Sequence, residues 1–221
     1  MKSLPVEVSV VVTVKNAMAY IGRCLRSLIN QNFDREKYEI ILVNDKSTDK
    51  TKEAITPYLG ELIYIENKKS LGLPGSLNVG IQQAKGQYIV RVDADDWVHK
   101  EYINILYNLL HLNNELDAVA CDYYLMNNKQ KIISKENWLN KPIGCGIMFR
   151  SHHLIEIGLY DNKLMSSGDE DLLIRYKKKY DIFRVPIPLY RYRRHKTNMT
   201  NNKKLLKKYE KKLLKKHSLK K

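Results

Sequence analysis

The first hundred residues alternate between short, almost continuously apolar runs and segments in which apolar residues recur at helical spacing. The apolar runs are rich in β-branched residues and predict strands buried on both faces, at 8–14, 39–43, 62–65 and 88–92. The intervening segments predict helices at 21–29, 49–58 and 75–84. We expect Pro57 to end the second helix and Gly86 to cap the third. This alternation predicts an α/β fold, with a Rossmann-like, mostly parallel central sheet and helices on both faces.

The second half of the chain is less regular. Its apolar runs predict short strands at 118–125, 131–133, 146–149, 182–185 and 189–192. Helical spacing predicts helices at 101–112 and around 172–180. Because no internal repeat or long linker interrupts the pattern, we expect one domain over residues 1–202, followed by a basic tail over residues 203–221.

Polar residues follow three of the predicted parallel strands at the point where each strand ends. They form the segments 15–16, 44–47 and 93–96. Right-handed crossovers bring the carboxyl ends of parallel strands to one edge of the sheet, and ligands of open α/β sheets bind at that edge. The sequence therefore predicts a ligand site there.

The segment Asp93-Ala94-Asp95-Asp96 places three carboxylates within four positions. At about 4 Å and an effective dielectric constant of about 20, two such charges repel each other by roughly 4 kcal/mol. A hard divalent cation such as Mg²⁺ or Mn²⁺ would neutralise them. Alternatively, Asp95 or Asp96 caps a helix that begins near Trp97. The position of the segment after a buried strand favours the metal.

Three other polar positions have two interpretations each. Asp45, in the segment 44–49, either accepts a hydrogen bond from a nucleobase or belongs to a turn that caps the next helix. The acids of 168–171 either interact with a helix dipole or supply a general base. His195 follows two arginines and is either exposed to water or directed at a phosphate.

Composition restricts the class of protein. Hydrophobic residues make up 43% of the 221 residues, which is enough for a sizeable core and argues against disorder. The three cysteines are widely spaced, as in proteins of reducing compartments. The sequence shows no signal peptide and no run of 18 apolar residues, so we expect a cytoplasmic protein.

The formal charge of +15 is concentrated in the tail, where ten lysines and one acid between Lys203 and Lys221 give +9. As a helix, the tail would be amphipathic and cationic, with Leu206, Tyr209 and Leu213 on one face. It predicts contact with an anionic membrane surface or an acidic partner, which would place the protein at the inner face of the membrane. A basic nucleic-acid-binding protein is an alternative, but such proteins spread cations over a binding face, so we expect no nucleic acid.

Five segments together resemble the family 2 glycosyltransferases, in the order and spacing of that family. They are VSVVVTVKN, EIILVNDKSTDKT, SLGLPGSLNVGIQQAKGQYIVRVDADDW, GDEDLLIRY and LYRYRRH. They extend from about Val8 to His195, nearly the whole chain apart from the tail. The resemblance implies the GT-A fold, a single nucleotide-binding α/β domain.

The resemblance also implies a role for individual residues. The donor nucleotide-sugar would be bound by Thr13, Val14, Asn16, Asp45, Asp93, Ala94 and Asp95. The metal on the donor diphosphate, Mn²⁺ or Mg²⁺, would be held by Asp95, with Asp93 and His195 close by. The catalytic base would be Asp169, because the family's acid precedes a helix arginine by six residues, as Asp169 precedes Arg175; Glu170 is the rival.

Three positions depart from the family pattern. Lys15 replaces a frequent aromatic residue, Lys46 a usual glycine and Leu77 a frequent arginine. Lys15 provides no aromatic ring to stack on the base, and Lys46 predicts a turn that differs from the family's. None of the three replacements affects the acids needed for transfer.

The reaction implied by the resemblance is an inverting transfer of a sugar from a nucleotide-sugar, with a preference for UDP, to the hydroxyl of a saccharide or lipid-linked acceptor. Synthesis of a surface polysaccharide or glycolipid is the expected setting. A rival enzyme, a sugar-phosphate nucleotidyltransferase, would need a glycine-rich loop after the first strand. Residues 13–22 offer only Gly22.

Overall fold

The computed structural model describes residues 5–196 and 198–218. Parallel strands form the first half of its central sheet, in the order β3-β2-β1-β4. Their bounds are β1 Val8–Val14, β2 Tyr38–Asn44, β3 Ile63–Glu66 and β4 Tyr88–Asp93. Val14 pairs with Asn44, and Thr13 pairs with Asp93, so the carboxyl ends of three strands lie level. This register brings the polar segments that follow the strands together at one edge.

The second half of the sheet mixes parallel and antiparallel pairs. Its strands are β5 Trp97–Val98, β6 Ala118–Met126, β7 Ile132–Glu136, β8 Ile147–Arg150 and β9 Ile182–Arg193. The sheet continues from β4 in the order β8-β6-β9-β5, and β7 pairs with β6. Strand β8 runs antiparallel to both β4 and β6, whereas β9 runs parallel to β6. The parallel arrangement expected from the sequence therefore describes the first half of the sheet.

Helices cover both faces of the sheet, as predicted. They are α1 Met18–Ile29, α2 Thr51–Ile55, α3 Gly72–Gln83, α4 Tyr102–Leu112, α5 Ser151–Glu156, α6 Gly168–Tyr176 and α7 Lys203–His217. Val10 and Val12 of β1 contribute to the core under α1, α2 and α4. Val11, on the opposite face of the same strand, packs under α3, α5 and α6. Burial on both faces explains the uninterrupted apolar run of β1.

Several predicted boundaries were wrong for identifiable reasons. Helix α3 begins three residues earlier than expected, at Gly72, and its C-cap is Ala84 rather than Gly86. Gly86 is required by close packing instead, because a Cβ there would lie 2.6 Å from the backbone nitrogen of Ser9. Helix α2 does end near Pro57, at Ile55, and Pro57 lies at the start of a 3₁₀ turn over Thr56–Glu61 that follows it.

The two strands predicted near the end of the domain form one strand, β9. Prolines 186 and 188 lie within it, where the register against β6 shifts. Proline lacks the N–H that donates hydrogen bonds to a neighbouring strand, so the sequence pattern predicts two strands. In the structure the strand continues past a bulge.

The basic tail forms helix α7. The structure describes the tail as far as Ser218. The Asn202 side chain caps it by accepting a hydrogen bond from the Leu205 N–H, and Leu213 is buried. In the described residues, no helix has the length and apolar character needed to span a bilayer. The first four residues of the chain, on which the search for a signal peptide partly rested, lie outside the described residues.

Candidate active site

A cavity of about 870 Å³ opens at the edge where β1, β2 and β4 end. Its wall contains every residue that the sequence proposed for the site. These are Thr13, Val14, Asn16, Asp45, Asp93, Ala94, Asp95, Asp169, Glu170 and His195. The cavity also contains residues that the sequence did not predict, and Arg91 and Leu206 are the most informative of them.

Asp45 lies at one end of the cavity and is 3% exposed. Each of its carboxylate oxygens accepts two hydrogen bonds. The donors are the Asn67 amide at 2.9 Å, the Ser70 hydroxyl at 2.7 Å, and the backbone N–H groups of Leu71 at 2.7 Å and Gly72 at 3.0 Å. Burial raises the pKa of Asp45, but these four donors outweigh it and lower the pKa to about 2. Asp45 therefore carries a fixed negative charge that organises the start of α3.

The loops after β1 and β2 hold each other through Asn16. Its side-chain oxygen accepts a hydrogen bond from the Thr48 N–H at 2.8 Å, and its own N–H donates to the Ser47 hydroxyl at 3.0 Å. Asn16 and Lys46 both have positive φ, +53° and +61°. The left-handed backbone at Lys46 is a conformation that glycine adopts most readily, and here a lysine adopts it.

The three acids after β4 point in different directions. Asp96 is buried, where it accepts hydrogen bonds from the Tyr190 hydroxyl and the Arg193 N–H, both at 2.7 Å. Neither Asp95 nor Asp96 caps a helix near Trp97, because Trp97 begins β5 and the next helix starts at Tyr102. The capping alternative was therefore wrong. Asp96 joins β9 to the end of β4, and this leaves Asp93 and Asp95 facing the cavity.

Asp95 and His195 form a pair on the cavity wall. The Nε2 of His195 lies 2.7 Å from an Asp95 carboxylate oxygen, and the Asn198 amide donates to the same oxygen at 3.2 Å. Tyr20 stacks on the His195 ring, with centroids 4.6 Å apart. Burial, followed by the charge of Asp93, raises the pKa of Asp95, and His195 partly opposes this rise. A cation bound here would relieve the repulsion between the two aspartates.

A second group of possible metal ligands lies deeper, where one atom each of Asp93, Asp96 and Cys145 lie within 4.8 Å of one another. It suits a hard cation poorly. Both oxygens of Asp96 already accept hydrogen bonds. Burial raises the pKa of the Cys145 thiol well above its usual value, so the thiol is neutral. The Asp95–His195 pair suits a divalent metal better, because it offers a carboxylate oxygen and an imidazole nitrogen on the cavity wall; the metal would replace the 2.7 Å contact between them.

Arg91 connects the Asp93 side of the cavity to the α6 side. Its Nε donates to Asp93 at 2.7 Å, and one of its terminal nitrogens lies 2.5 Å from an Asp169 oxygen. Burial raises the pKa of Asp169, and the Arg91 charge acts in the opposite direction. The sequence did carry a signal for this residue, since Arg91 is a cation in the middle of the buried strand Tyr88–Asp93.

Glu170 occupies a different position from its neighbour. It lies exposed on the cavity rim, one residue farther along α6. Partial desolvation, followed by the charges of Asp169 and Glu210, raises its pKa. Asp171 points away from the cavity and is fully buried against Arg175, Lys216 and His217. Of the three acids in the first turn of α6, Asp169 is therefore the one bound within the cavity by Arg91.

Comparison with known proteins identifies the family. A model described as glycosyl transferase family 2 matches residues 9–173. The chain belongs to this family. The resemblance stated from its motifs is confirmed, and family membership favours glycosyl transfer over the nucleotidyltransferase and nucleic-acid-binding alternatives.

Individual relatives of this family 2 chain are informative about fold and about length. A poly(ribitol-phosphate) beta-glucosyltransferase of Bacillus spizizenii is 40% identical over 106 residues, which is 46% of this chain and 17% of that protein. The aligned segments span less than a fifth of the first curated relatives.

Solved structures agree on the fold. Staphylococcus aureus TarS 1-349 in complex with UDP-GlcNAc superposes with a TM-score of 0.76 at 21% identity, over 89% of this chain and 61% of that one. The mannosyltransferase PcManGT from Pyrobaculum calidifontis, in complex with GDP-Man and Mn²⁺, superposes with a TM-score of 0.76 at 17% identity, over 98% of this chain and 66% of that one. The predicted GT-A fold is thus confirmed.

Proposed function

We propose that this family 2 domain transfers a sugar from a UDP-sugar to an acceptor hydroxyl with inversion at the anomeric carbon. The observation that carries the proposal is the arrangement of two acids within one cavity. Asp95 and His195 lie on one wall, Asp169 lies on another, and Arg91 links the two through Asp93. In such a transfer, the group that holds the metal and the donor diphosphate must lie apart from the base that receives the acceptor proton.

The donor would occupy the end formed by the strand termini. Thr13, Val14 and Asn16 would line the nucleotide pocket, beside Asp45 and Ala94. Because all four accepting positions of Asp45 are used, it would recognise the base only by exchanging one of its present partners. UDP is proposed from TarS, a neighbour in fold that was solved with UDP-GlcNAc; PcManGT was solved with GDP-Man, so GDP is the nucleotide against which UDP is tested.

Asp95 and His195 would hold a divalent metal, with Asp93 close by. Mn²⁺ or Mg²⁺ would supply stabilisation of the negative charge that grows on the leaving diphosphate. PcManGT, another neighbour in fold, was solved with Mn²⁺. His195 would have to present a neutral nitrogen, and the stacking of Tyr20 would keep its ring in place.

Asp169 would act as the general base. The acceptor oxygen bonds to the anomeric carbon as the bond from that carbon to the diphosphate oxygen breaks on the opposite face. The acceptor proton passes to an Asp169 carboxylate oxygen. Arg91 favours the ionised form of that half-buried carboxylate and fixes its direction. General-base assistance of this kind contributes about 10² to 10⁴ in rate.

The biological setting proposed is synthesis of a surface polysaccharide, a teichoic-acid-type polymer or a glycolipid, on a saccharide or lipid-linked acceptor. It is supported by relatives whose names refer to poly(ribitol-phosphate) and teichoic acid. A cytoplasmic location belongs to the same proposal. Contact of α7 with the inner face of the membrane, which the sequence predicted, is the alternative that the vesicle experiment below tests. Because Leu213 is buried and Leu206 is half-buried, such contact would rely on charge rather than on insertion.

Thermal shift with nucleotides tests the donor site directly. UDP should raise the melting temperature more with Mn²⁺ than with EDTA, and more than GDP does. Saturation at about 100 times the dissociation constant corresponds to about 2.7 kcal/mol of stabilisation. Asp95→Ala should lose most of the metal-dependent part. Glu115→Ala, which removes an exposed carboxylate outside the cavity, is the control. An unchanged metal response in Asp95→Ala would remove the assignment.

A further inference from the structure

Helix α7 has two different faces along its whole length. Leu206, Tyr209, Leu213 and His217 recur at spacings of three and four and are partly or fully buried. The other face carries exposed lysines, at positions 203, 204, 207, 208, 211, 212 and 215. The helix has 15 residues, so this row of cations is about 22 Å long.

The helix is held on the domain at its C-terminal end. Lys216 lies 2.7 Å from carboxylate oxygens of both Asp161 and Asp171, and the Nε2 of His217 lies 2.7 Å from the same Asp171 oxygen. The Asp171 side chain is completely buried. These contacts leave the seven lysines of the other face directed outward, and none of those seven takes part in them.

The other end of α7 reaches the cavity. Leu206, in the second turn, lines the cavity together with Thr200, which precedes the helix. Lys203 lies about 60° from Leu206 around the helix axis and Lys207 about 100°, so the lysine row begins at the cavity rim. Glu170 is on the same part of the wall, and its pKa is influenced by Glu210 of α7.

In the proposed function Asp169 marks the acceptor side of the cavity, and α7 contacts the helix that carries Asp169 through ion pairs to Asp171. Asp45 and the loops that would hold the nucleotide lie at the ends of β1 and β2, whereas α7 adjoins the first turn of α6, which carries Asp169. An acceptor that presents its hydroxyl to Asp169 therefore has α7 beside it. Seven exposed cations next to a site for a neutral sugar hydroxyl call for an anionic partner.

We infer that α7 is an acceptor-binding track, and that the acceptor is a polyanion whose phosphodiester groups lie along its lysine face. The inference rests on the proposed function, since it names the acceptor class for the same cavity. Lysine ammonium groups bind phosphates as point charges without fixed geometry. Such a track would hold a growing chain while its terminal hydroxyl reaches Asp169, and binding would weaken with salt.

A binding experiment on the full chain tests this track. The probe is fluorescently labelled poly(glycerol phosphate), with neutral dextran as the uncharged comparison, and anisotropy is recorded at low and high salt. The test variant replaces four lysines of the exposed face with glutamine, at positions 204, 208, 211 and 215. The matched control makes the same change at four exposed lysines away from the cavity, at positions 50, 129, 131 and 178.

The unchanged chain should bind the phosphate polymer and not dextran, with affinity that falls as salt rises. The test variant should bind it at least about tenfold more weakly, because four of the seven exposed cations are gone. The control variant should bind it within about twofold of the unchanged chain. An equal loss of polymer affinity in both variants would show general charge attraction and overturn the inference. Unchanged polymer affinity in the test variant would also overturn it.

Two further measurements distinguish the other ways to fail. In sedimentation with phosphatidylglycerol vesicles, a test variant that loses vesicle binding yet keeps polymer binding would assign α7 to the membrane instead. The UDP-dependent shift in melting temperature should be the same in all three proteins. If UDP and metal give no shift even in the unchanged chain, the proposed function fails, whereas loss of polymer binding alone concerns α7.

Discussion

The two ends of the cavity each hold a carboxylate that faces a ligand site, and the two carboxylates have opposite surroundings. Asp45 receives four hydrogen bonds from neutral donors, with the exposed Lys15 ammonium farther away at 3.7 Å, and hydrogen bonding lowers its pKa to about 2. Asp169 meets one guanidinium, that of Arg91, and burial raises its pKa. The four donors keep Asp45 ionised and hold the backbone at the start of α3. A carboxylate with one cationic partner and a raised pKa is better suited to accept a proton.

The comparison predicts its largest effect at Asp169. Asp169→Asn keeps the size of the side chain and removes the base, so sugar transfer should fall at least about 100-fold. UDP and metal binding should remain close to those of the parent, because Asp169 lies apart from the nucleotide end. Initial rates of transfer and the UDP-dependent melting shift measure the two parts. Equal losses of binding and transfer would contradict a role confined to the base.

The ionisation of Asp169 should set the decline in the rate of transfer at acidic pH. Asp169 must be ionised to accept a proton, and its pKa lies above the ordinary 3.8. Transfer should therefore decline as pH falls through that raised pKa, at a pH where an unperturbed aspartate would still be ionised. The rate at saturating donor, followed from neutral to acidic pH in a range where the fold is intact, measures this decline. A decline at the ordinary value would show that another group controls it.

A smaller effect on transfer is expected from Gly144, which touches Asp169 from the opposite side. A Cβ at position 144 would overlap the Asp169 carboxylate, a flexible group that can move. Gly144→Ala should therefore displace the base with little loss of stability and slow transfer by roughly 10- to 100-fold. Gly60→Ala is the control, because a Cβ there meets nothing within 4 Å. Transfer in Gly144→Ala equal to that of the control would show that Asp169 needs no fixed position.

At the other end, the expected effect is on folding. Asp45 has a folded pKa of about 2 against an ordinary 3.8, so its ionised form contributes about 2 kcal/mol to the free energy of unfolding. That contribution is present in full above about pH 4 and is lost as pH falls towards 2. Asp45→Asn should lower the free energy of unfolding at pH 7 by about this amount or more, and by less near pH 3. Urea unfolding at both pH values measures it, and a pH-independent difference would contradict the charge argument.

The sequence indicated the cavity wall formed by the ends of β1, β2 and β4 more completely than the wall near α6 and α7, for a physical reason. In the first half, each strand is buried on both faces and its terminal polar residues follow directly, so one local pattern reports both the fold and the site. Near α6 and α7, the site is assembled from residues distant in sequence, such as Arg91 with Asp169 and Leu206 with Glu170. The abrupt change in composition at the tail marks its charge but does not reveal that Leu213 is buried against the domain.

The smallest effect is expected at Glu170, the rival of Asp169 for the role of base. Both lie in the first turn of α6, but consecutive helical residues point about 100° apart. Asp169 is turned towards Arg91, whereas Glu170 lies on the rim near Glu210 of α7. Glu170→Gln removes one of two like charges on that rim, so transfer should change by no more than about threefold and stability by less than about 0.5 kcal/mol. Transfer assays on Glu170→Gln beside Asp169→Asn decide between the two acids. If Glu170→Gln abolishes transfer and Asp169→Asn spares it, the base is one residue farther along the helix, and Arg91 serves to neutralise a structural aspartate.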